Sequence, residues 1–144
     1  QILGKIINVQ FEYCLKNDKQ VLRQNGKTLK ILDLDRCSGL DLNSIQVVVQ
    51  NCLELSEANF AHTKLSKRSI DFLTKNISRK IQKLSLFGLD VTDENINVLV
   101  ARCKQLSALS LGTDFFLLIW YFIKHKHGKT IHMMYELCAA ISDD

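Results

Sequence analysis

The phrase Leu29-Lys-Ile-Leu32-Asp-Leu34 decides the fold of this chain, because its pattern returns three more times. Each copy has apolar residues at its first, fourth and sixth positions. The four copies are LKILDL at 29–34, LSEANF at 55–60, IQKLSL at 81–86 and LSALSL at 106–111. Their first positions lie 26, 26 and 25 residues apart (29 to 55, 55 to 81, 81 to 106). A constant period of this length indicates an array of equal structural units.

A second phrase follows each of the first three copies in the same register. It reads LDLNSIQVV at 40–48, LSKRSIDFL at 65–73 and VTDENINVL at 91–99. Its second residue, Asp41, Ser66 or Thr92, has a side-chain oxygen that can cap the first turn of a helix. The apolar residues five and eight positions after its start share one helical face. Each unit therefore predicts a short strand, a turn and an amphipathic helix.

This period and this order of elements are typical of leucine-rich repeats. We predict an α/β fold, a leucine-rich-repeat solenoid of about four repeats. A short parallel sheet would form its concave side and the helices its convex side. The chain divides into a degenerate first repeat at 1–28, regular cysteine-containing repeats at 29–113 and an irregular tail at 114–144.

The first 28 residues resemble the end of an earlier repeat. Residues 7–13 alternate apolar and polar side chains, which predicts a half-buried strand. Two registers of the repeat phrase fit this strand, one starting at Leu3 and one at Ile6, and both stay open. A short helix is predicted from Asp18 to Asn25, with Asn25-Gly26 as its stop signal. Because no polar cap precedes this repeat and the first residue is not Met, we expect the chain to be a window from a longer protein.

The repeat pattern stops after Leu111, and the tail has a different character. Nine apolar residues in a row occupy 115–123, fewer than the ~20 that a membrane-spanning helix needs. This run could form a last buried strand or a last buried helix. Apolar residues at helical spacing predict a final helix over 130–142. The departure from the repeat pattern also allows a spliced or misannotated C-terminus.

The formal charge of +4 is concentrated at the N-terminal end. Residues 1–28 carry five Lys/Arg against two Asp/Glu, whereas residues 29–114 carry eleven against ten. A nucleic-acid-binding domain is expected to show a basic stripe on one face. The near-neutral repeats therefore argue against a nucleic-acid partner. The short apolar run and the lack of a signal-peptide pattern argue against a membrane partner.

Five cysteines lie at positions 14, 37, 52, 103 and 138 and include no C-x-x-C pair. A secreted disulfide framework has an even number of closely spaced cysteines, and these five do not fit that pattern. Cys37 follows Leu34 by three residues, and Cys52 and Cys103 each precede the next repeat phrase by three. We predict that these three are small buried hydrophobic residues in a reduced, intracellular compartment.

Each arrangement that could carry catalysis or bind a metal has a simpler explanation. The histidines at 125, 127 and 132 lack Cys or carboxylate partners at zinc-site spacing, so we predict a solvated loop. Asp33, Asp35 and Glu57 would be solvated on an open surface, which makes them poor acid–base catalysts. No histidine accompanies the cysteines as a catalytic thiol would require. We predict that the chain is not an enzyme and holds no cofactor or metal.

The strand side chains that alternate with the core positions point to the opposite, concave face. We predict that this face binds a protein partner. Its predicted site residues are Ile31, Asp33, Asp35, Glu57, Asn59, Lys83, Ser85, Phe87 and Ser110. The face is acidic at its N-terminal end, turns neutral to basic further along, and carries one aromatic ring.

The phrase Cys103-x-x-Leu106-x-x-Leu109-x-Leu111 completes a longer pattern that starts at Val91-Thr-Asp and includes a helix ending in Cys. This pattern resembles the cysteine-containing leucine-rich repeat. Residues 91–111 are a near-complete copy of it, and the resemblance covers about residues 20–113. That subclass is typical of F-box/LRR proteins, and the chain is similar to the repeat part of this family.

The resemblance implies substrate recognition in an SCF-type E3 ubiquitin ligase. In that family the F-box holds the SCF adaptor, and the concave face of the repeats holds a protein substrate for ubiquitination. Adaptor and cullin would be reached only through an F-box, which these 144 residues do not contain. The resemblance also implies a cell-cycle role in the nucleus and cytoplasm. The alternative is an intracellular leucine-rich-repeat scaffold or inhibitor that is unrelated to ubiquitin.

Overall fold

The computed structural model describes residues 6–7 and 16–112, with side chains described from Lys19 onward. In this part of the chain, short strands alternate with ten-residue helices. The strands are β1 (Ile6–Ile7), β2 (Ile31–Asp33), β3 (Glu57–Asn59), β4 (Lys83–Ser85) and β5 (Ala108–Ser110). The helices are α1 (Lys16–Asn25), α2 (Leu42–Asn51), α3 (Lys67–Asn76) and α4 (Asp93–Arg102). The predicted units of strand and helix are confirmed here.

The strands form one parallel sheet whose order, β1-β2-β3-β4-β5, is the order of the chain. Ile31 pairs with Glu57, Glu57 with Lys83, and Lys83 with Ala108. Each strand therefore lies opposite the next at the period of the repeated phrase. Equivalent residues of successive units form rows across the sheet. The predicted α/β class with a short parallel sheet is confirmed at this level.

The first unit contains a strand, β1, which overlaps the start of the strand predicted at 7–13; residues 8–13 lie outside the described range. Both registers considered for this strand are wrong. Ile6 pairs with Ile31 and Ile7 with Leu32. This pairing gives Ile7 the fourth position of the repeat phrase, whereas the two alternatives place Ile6 or Val9 there. Because Ile6 and Ile7 are both apolar, alternation alone cannot fix which of them aligns with the row of core residues.

The helix predicted from Asp18 to Asn25 is confirmed as α1 and begins two residues earlier, at Lys16. It ends at the predicted stop, where a single turn of 3-10 helix, Gly26–Thr28, leads into β2. Leu22 of α1 is buried, and consecutive helices pack against one another in one layer.

The first, fourth and sixth positions of the repeat phrase supply the sheet's share of one hydrophobic core. In three units the fourth and sixth positions are both leucine, and in the β3 unit they are Ala58 and Phe60. Phe60 is fully buried. Ala58 beside it is smaller than leucine, so this unit combines one large and one small core residue where the other three have two leucines.

The helices supply the other half of the core through the positions that the second phrase predicted. The buried pairs are Ile45 and Val48 in α2, Ile70 and Leu73 in α3, and Ile96 and Leu99 in α4. Cys37, Cys52 and Cys103 are buried in the same core, which confirms their predicted position. The cysteines at 14 and 138 lie outside the described residues.

All three predicted helix caps are confirmed. The capping oxygens accept hydrogen bonds from backbone N–H groups three residues on: Asp41 from Ser44 at 2.7 Å, Ser66 from Ser69 at 3.2 Å and Thr92 from Asn95 at 3.3 Å. These bonds satisfy donors that have no acceptor within the helix itself. The hydrogen bonds from Ser44 hold the pKa of the Asp41 carboxyl below its ordinary value.

The residues that donate to the caps form a buried polar row of their own, Ser44, Ser69 and Asn95. Asn95 also donates from Nδ2 to the Asp71 carboxylate of α3 at 2.7 Å. Asn95 therefore connects α4 to α3 as well as forming the start of its own helix.

The predictions for the tail concern residues outside the described range. They are the apolar run at 115–123, the helix at 130–142 and the solvated loop with histidines 125, 127 and 132. The division of the chain at residues 28 and 113 stays a prediction.

Replacing Leu84 by alanine should lower the free energy of unfolding by roughly 2–5 kcal/mol. Leu84 is 2% exposed at the centre of β4, so its removal leaves a cavity in the core. Urea denaturation followed by circular dichroism measures the difference. Leu53→Ala is the matched control because Leu53 is 59% exposed, and its change should stay within about 0.5 kcal/mol. A loss below about 1 kcal/mol for Leu84→Ala would contradict its core position.

Candidate protein-binding face

The side chains that flank the buried centre of each strand lie on the open face of the sheet. In β2, β3 and β5 both flanking residues are half-buried, and in β4 Lys83 is exposed. All nine predicted site residues line one open depression of about 630 Å³ on this surface, the sheet face. They are Ile31, Asp33, Asp35, Glu57, Asn59, Lys83, Ser85, Phe87 and Ser110. The structure brings together every residue of the predicted site; that they bind a partner stays a prediction.

Two strands of the sheet face end with the same hydrogen bond. Oδ1 of Asp33 accepts from the Asp35 N–H at 2.9 Å, and Oδ1 of Asn59 accepts from the Ala61 N–H at 3.0 Å. Short side chains that bond two residues ahead in this way mimic a backbone turn. Asp33 therefore shapes the turn as well as placing a negative charge on the face.

The charged side chains of the sheet face pair between neighbouring units and, at Asp35 and Arg36, within one turn. Nζ of Lys83 lies 3.1 Å from the Glu57 carboxylate, and these two residues are register partners on β4 and β3. The Asp35 carboxylate lies 3.1 Å from Nδ1 of His62 and 3.7 Å from Nε of Arg36. Each of these side chains is more than one third exposed, so each pair contributes at most about 1 kcal/mol. The acidic end predicted from the sequence is thus partly neutralised.

Three equivalent turns follow β2, β3 and β4 at the carboxyl edge of the sheet. Arg36, His62 and Gly88 stand 26 residues apart and have positive φ values of 59°, 55° and 75°. Positive φ is costly for a residue with a Cβ. Arg36 and His62 line the sheet face, yet they were not among the predicted site residues. Their spacing from Gly88 was the signal that could have identified them.

His62 joins the acidic part of the sheet face to its aromatic part. Its ring meets Phe87 edge-on with centroids 5.2 Å apart, while Nδ1 faces the Asp35 carboxylate. A Cβ on Gly88 would lie 3.0 Å from Cδ2 of His62, so glycine leaves room for the imidazole. A carboxylate, an imidazole and an apolar ring therefore stand side by side, able to receive a hydrogen-bond donor next to an apolar group.

Two features of the described residues bear on metal binding and on thiol chemistry. Within residues 16–112, no three His, Cys, Asp or Glu side chains cluster so as to hold a metal ion. Burial raises the pKa of the Cys52 thiol to about 11 and also raises the pKa of Cys103. A nucleophilic thiol needs the opposite shift. That the chain has no catalytic activity stays a prediction.

Two further findings bear on the kind of protein this is. None of the helices between residues 16 and 112 combines the length and the apolar character needed to cross a bilayer. No family model matches the chain, and no curated protein matches it significantly. The likeness to the F-box/LRR family thus rests on the repeat residues alone.

Gly88→Ala should destabilise the protein more than Gly39→Ala. Both glycines have positive φ, 75° and 86°, so both changes carry a backbone penalty of about 1–2 kcal/mol. A Cβ on Gly39 meets nothing within 4 Å, whereas one on Gly88 meets His62. Urea denaturation of the two variants measures how much more Gly88→Ala lowers the free energy of unfolding than Gly39→Ala does. In a His62→Ala background the two changes should cost the same, and an excess that persists there would disprove the contact with His62.

Proposed function

We propose that this chain is the substrate-binding region of an F-box protein that presents a protein substrate to an SCF-type E3 ubiquitin ligase. Its units form a leucine-rich-repeat solenoid, and the sheet face is its concave, substrate-binding side. The observation that carries the proposal is the alignment of strands in register at 26-residue steps, which lines up the side chains of separate units on one open face.

The arrangement of the units supports a leucine-rich-repeat solenoid. Each unit contributes one short strand and one helix, and strand order equals chain order. A unit of this size cannot bury its apolar face alone, so neighbours share one continuous core. The core cluster joins residues of β2 through β5 to residues of α2, α3 and α4 in this way.

The position of Cys103 supports the cysteine-containing subclass. It ends α4 as the residue whose N–H bonds the Leu99 carbonyl, and its Sγ lies 3.8 Å from the Ser78 carbonyl of the preceding unit. Cys52 ends α2 in the equivalent position. A small, weakly polar side chain fits this junction because it packs like a hydrophobic residue and still approaches a carbonyl.

The sheet face works by holding and orienting a substrate, and ubiquitin transfer is left to the other ligase components. Glu57, Lys83 and Asp35 supply charged groups for hydrogen bonds to the substrate, which are stronger and more directional than neutral ones. Phe87 supplies apolar contact area of the kind that anchors protein interfaces. Because the substrate must displace existing ion pairs, complementary charge decides which substrates bind.

Affinity purification of the complete gene product from its native cells tests the proposal. We expect the SCF adaptor and the cullin to be recovered with it, together with at least one ubiquitinated protein. If a binding partner is recovered without adaptor or cullin, the ubiquitin role is wrong and the alternative of an unrelated leucine-rich-repeat scaffold or inhibitor holds.

A pair of matched double variants tests the role of the sheet face. Glu57→Gln with Lys83→Gln removes one acid and one base from the face, and should reduce recovery of the substrate by about tenfold while adaptor and cullin stay bound. Lys67→Gln with Glu94→Gln removes the same charges from exposed helix positions and should change nothing. Equal substrate recovery from both variants would show that substrate binds elsewhere. Quantitative mass spectrometry of the purified complexes measures the recovery of the substrate and of the adaptor and cullin.

A further inference from the structure

The loops that lead into the strands form a second surface, at the opposite end of the strands from Arg36, His62 and Gly88. We call it the amino edge, and it comprises residues 26–30, 52–56, 78–82 and 103–107. Loops of neighbouring units contact one another. Oγ of Ser78 donates to the Leu53 carbonyl at 2.7 Å, and Lys30 reaches Glu54 at 3.2 Å. The amino edge is therefore one continuous surface.

Positive charge is concentrated on the amino edge. It carries five exposed bases, Lys27, Lys30, Arg79, Lys80 and Lys104, against one acid, Glu54. The other described side chains from residue 19 to 112 carry nine Lys/Arg against eight Asp/Glu. Residues 19–112 carry 14 Lys/Arg against nine Asp/Glu, an excess of five, and the amino edge accounts for four of these (five minus one) although its loops are far apart in sequence.

Glu54 holds two of these bases in place. Nζ of Lys80 lies 2.6 and 2.7 Å from its two carboxylate oxygens, and Nζ of Lys30 lies 3.2 Å from one of them. The hydrogen bonds from Lys80 and then Lys30 lower the pKa of the Glu54 carboxyl. Lysines ordered in this way have less conformational entropy to lose when they bind a partner.

An exposed leucine stands in the middle of this basic surface. Leu53 is 59% exposed, and Leu53 and Val21 are the large apolar side chains that stand exposed between residues 19 and 112. In the repeat it occupies the same position as Lys27, Arg79 and Lys104, so these four residues form a row across the loops. With strands ~4.8 Å apart, the row spans about 14 Å, the length of roughly four extended residues.

We propose that the amino edge binds a short, extended, acidic segment of a partner protein. An apolar side chain of that segment packs on Leu53, and carboxylates on either side of it meet Lys27 and Lys30 on one flank and Arg79 and Lys80 on the other. This goes beyond the proposed function, because it concerns a different surface and holds whether or not the sheet face binds a ligase substrate.

The composition of the amino edge favours an acidic peptide over a nucleic acid. The Glu54 carboxylate at its centre repels a continuous phosphate backbone, whereas a peptide can place its apolar residue there. Single-stranded nucleic acids are held largely by stacking on aromatic rings, and the four loops that form the edge contain none. Leu53 offers the contact that a peptide side chain can use.

Fluorescence anisotropy with the purified chain tests this proposal. The probe is a short fluorescein-labelled peptide with one leucine between glutamates. Its binding should weaken as salt rises, because exposed charges are screened. Arg79→Gln with Lys80→Gln should weaken binding about tenfold. Leu53→Ser, which keeps every charge, should weaken it about fivefold through lost apolar contact. Circular dichroism checks that each variant is folded.

The control variant is Lys64→Gln with Lys67→Gln, which removes the same charge from exposed positions outside the amino edge. It should leave affinity within about twofold of the unmodified chain. The proposal is overturned if this control loses as much affinity as Arg79→Gln with Lys80→Gln. It is also overturned if a glutamine version of the peptide binds equally well, or if a single-stranded oligonucleotide of equal length binds more tightly than the acidic peptide.

Discussion

One hydrogen-bond pattern at the entrance to β3, β4 and β5 sets the register of the described sheet. The Lys30 carbonyl accepts from the N–H groups of both Ser56 and Glu57, at 2.9 and 3.0 Å. The next two units repeat this pattern, with the Ser56 carbonyl bound by Gln82 and Lys83 and the Gln82 carbonyl by Ser107 and Ala108. Since a slip of one residue would turn the core leucines towards solvent, these bonds fix every row that follows.

The features that the sequence predicted correctly are those decided by local chemistry or by the constant period of the repeat. Asp41 and Thr92 cap helices because their side chains reach N–H groups three residues away, so the pattern of the chain is sufficient. The pairing of Glu57 with Lys83 depends on strand register, and the positive φ of His62 depends on the course of a turn. Neither can be read from alternation or capping. The register of β1 failed for the same reason, since Ile6 and Ile7 are equally apolar.

The two ends of the sheet differ in electrostatics, although both are built from the same units. At the sheet face the acids Asp35 and Glu57 already have basic neighbours, so a partner must replace those contacts and gains mainly selectivity. At the amino edge positive charge exceeds negative even though Glu54 pairs with Lys30 and Lys80. An acidic partner would therefore approach the amino edge faster than the sheet face, because long-range attraction raises association rates.

The equal spacing of the units also has a consequence for folding. Each strand pairs with the strands of neighbouring units, so every pairing closes a loop of nearly the same length and pays nearly the same chain entropy. No single closure dominates the folding barrier on these grounds. Differences in side-chain packing, such as Phe60 beside Ala58, then decide which unit orders first and in which direction order spreads along the chain.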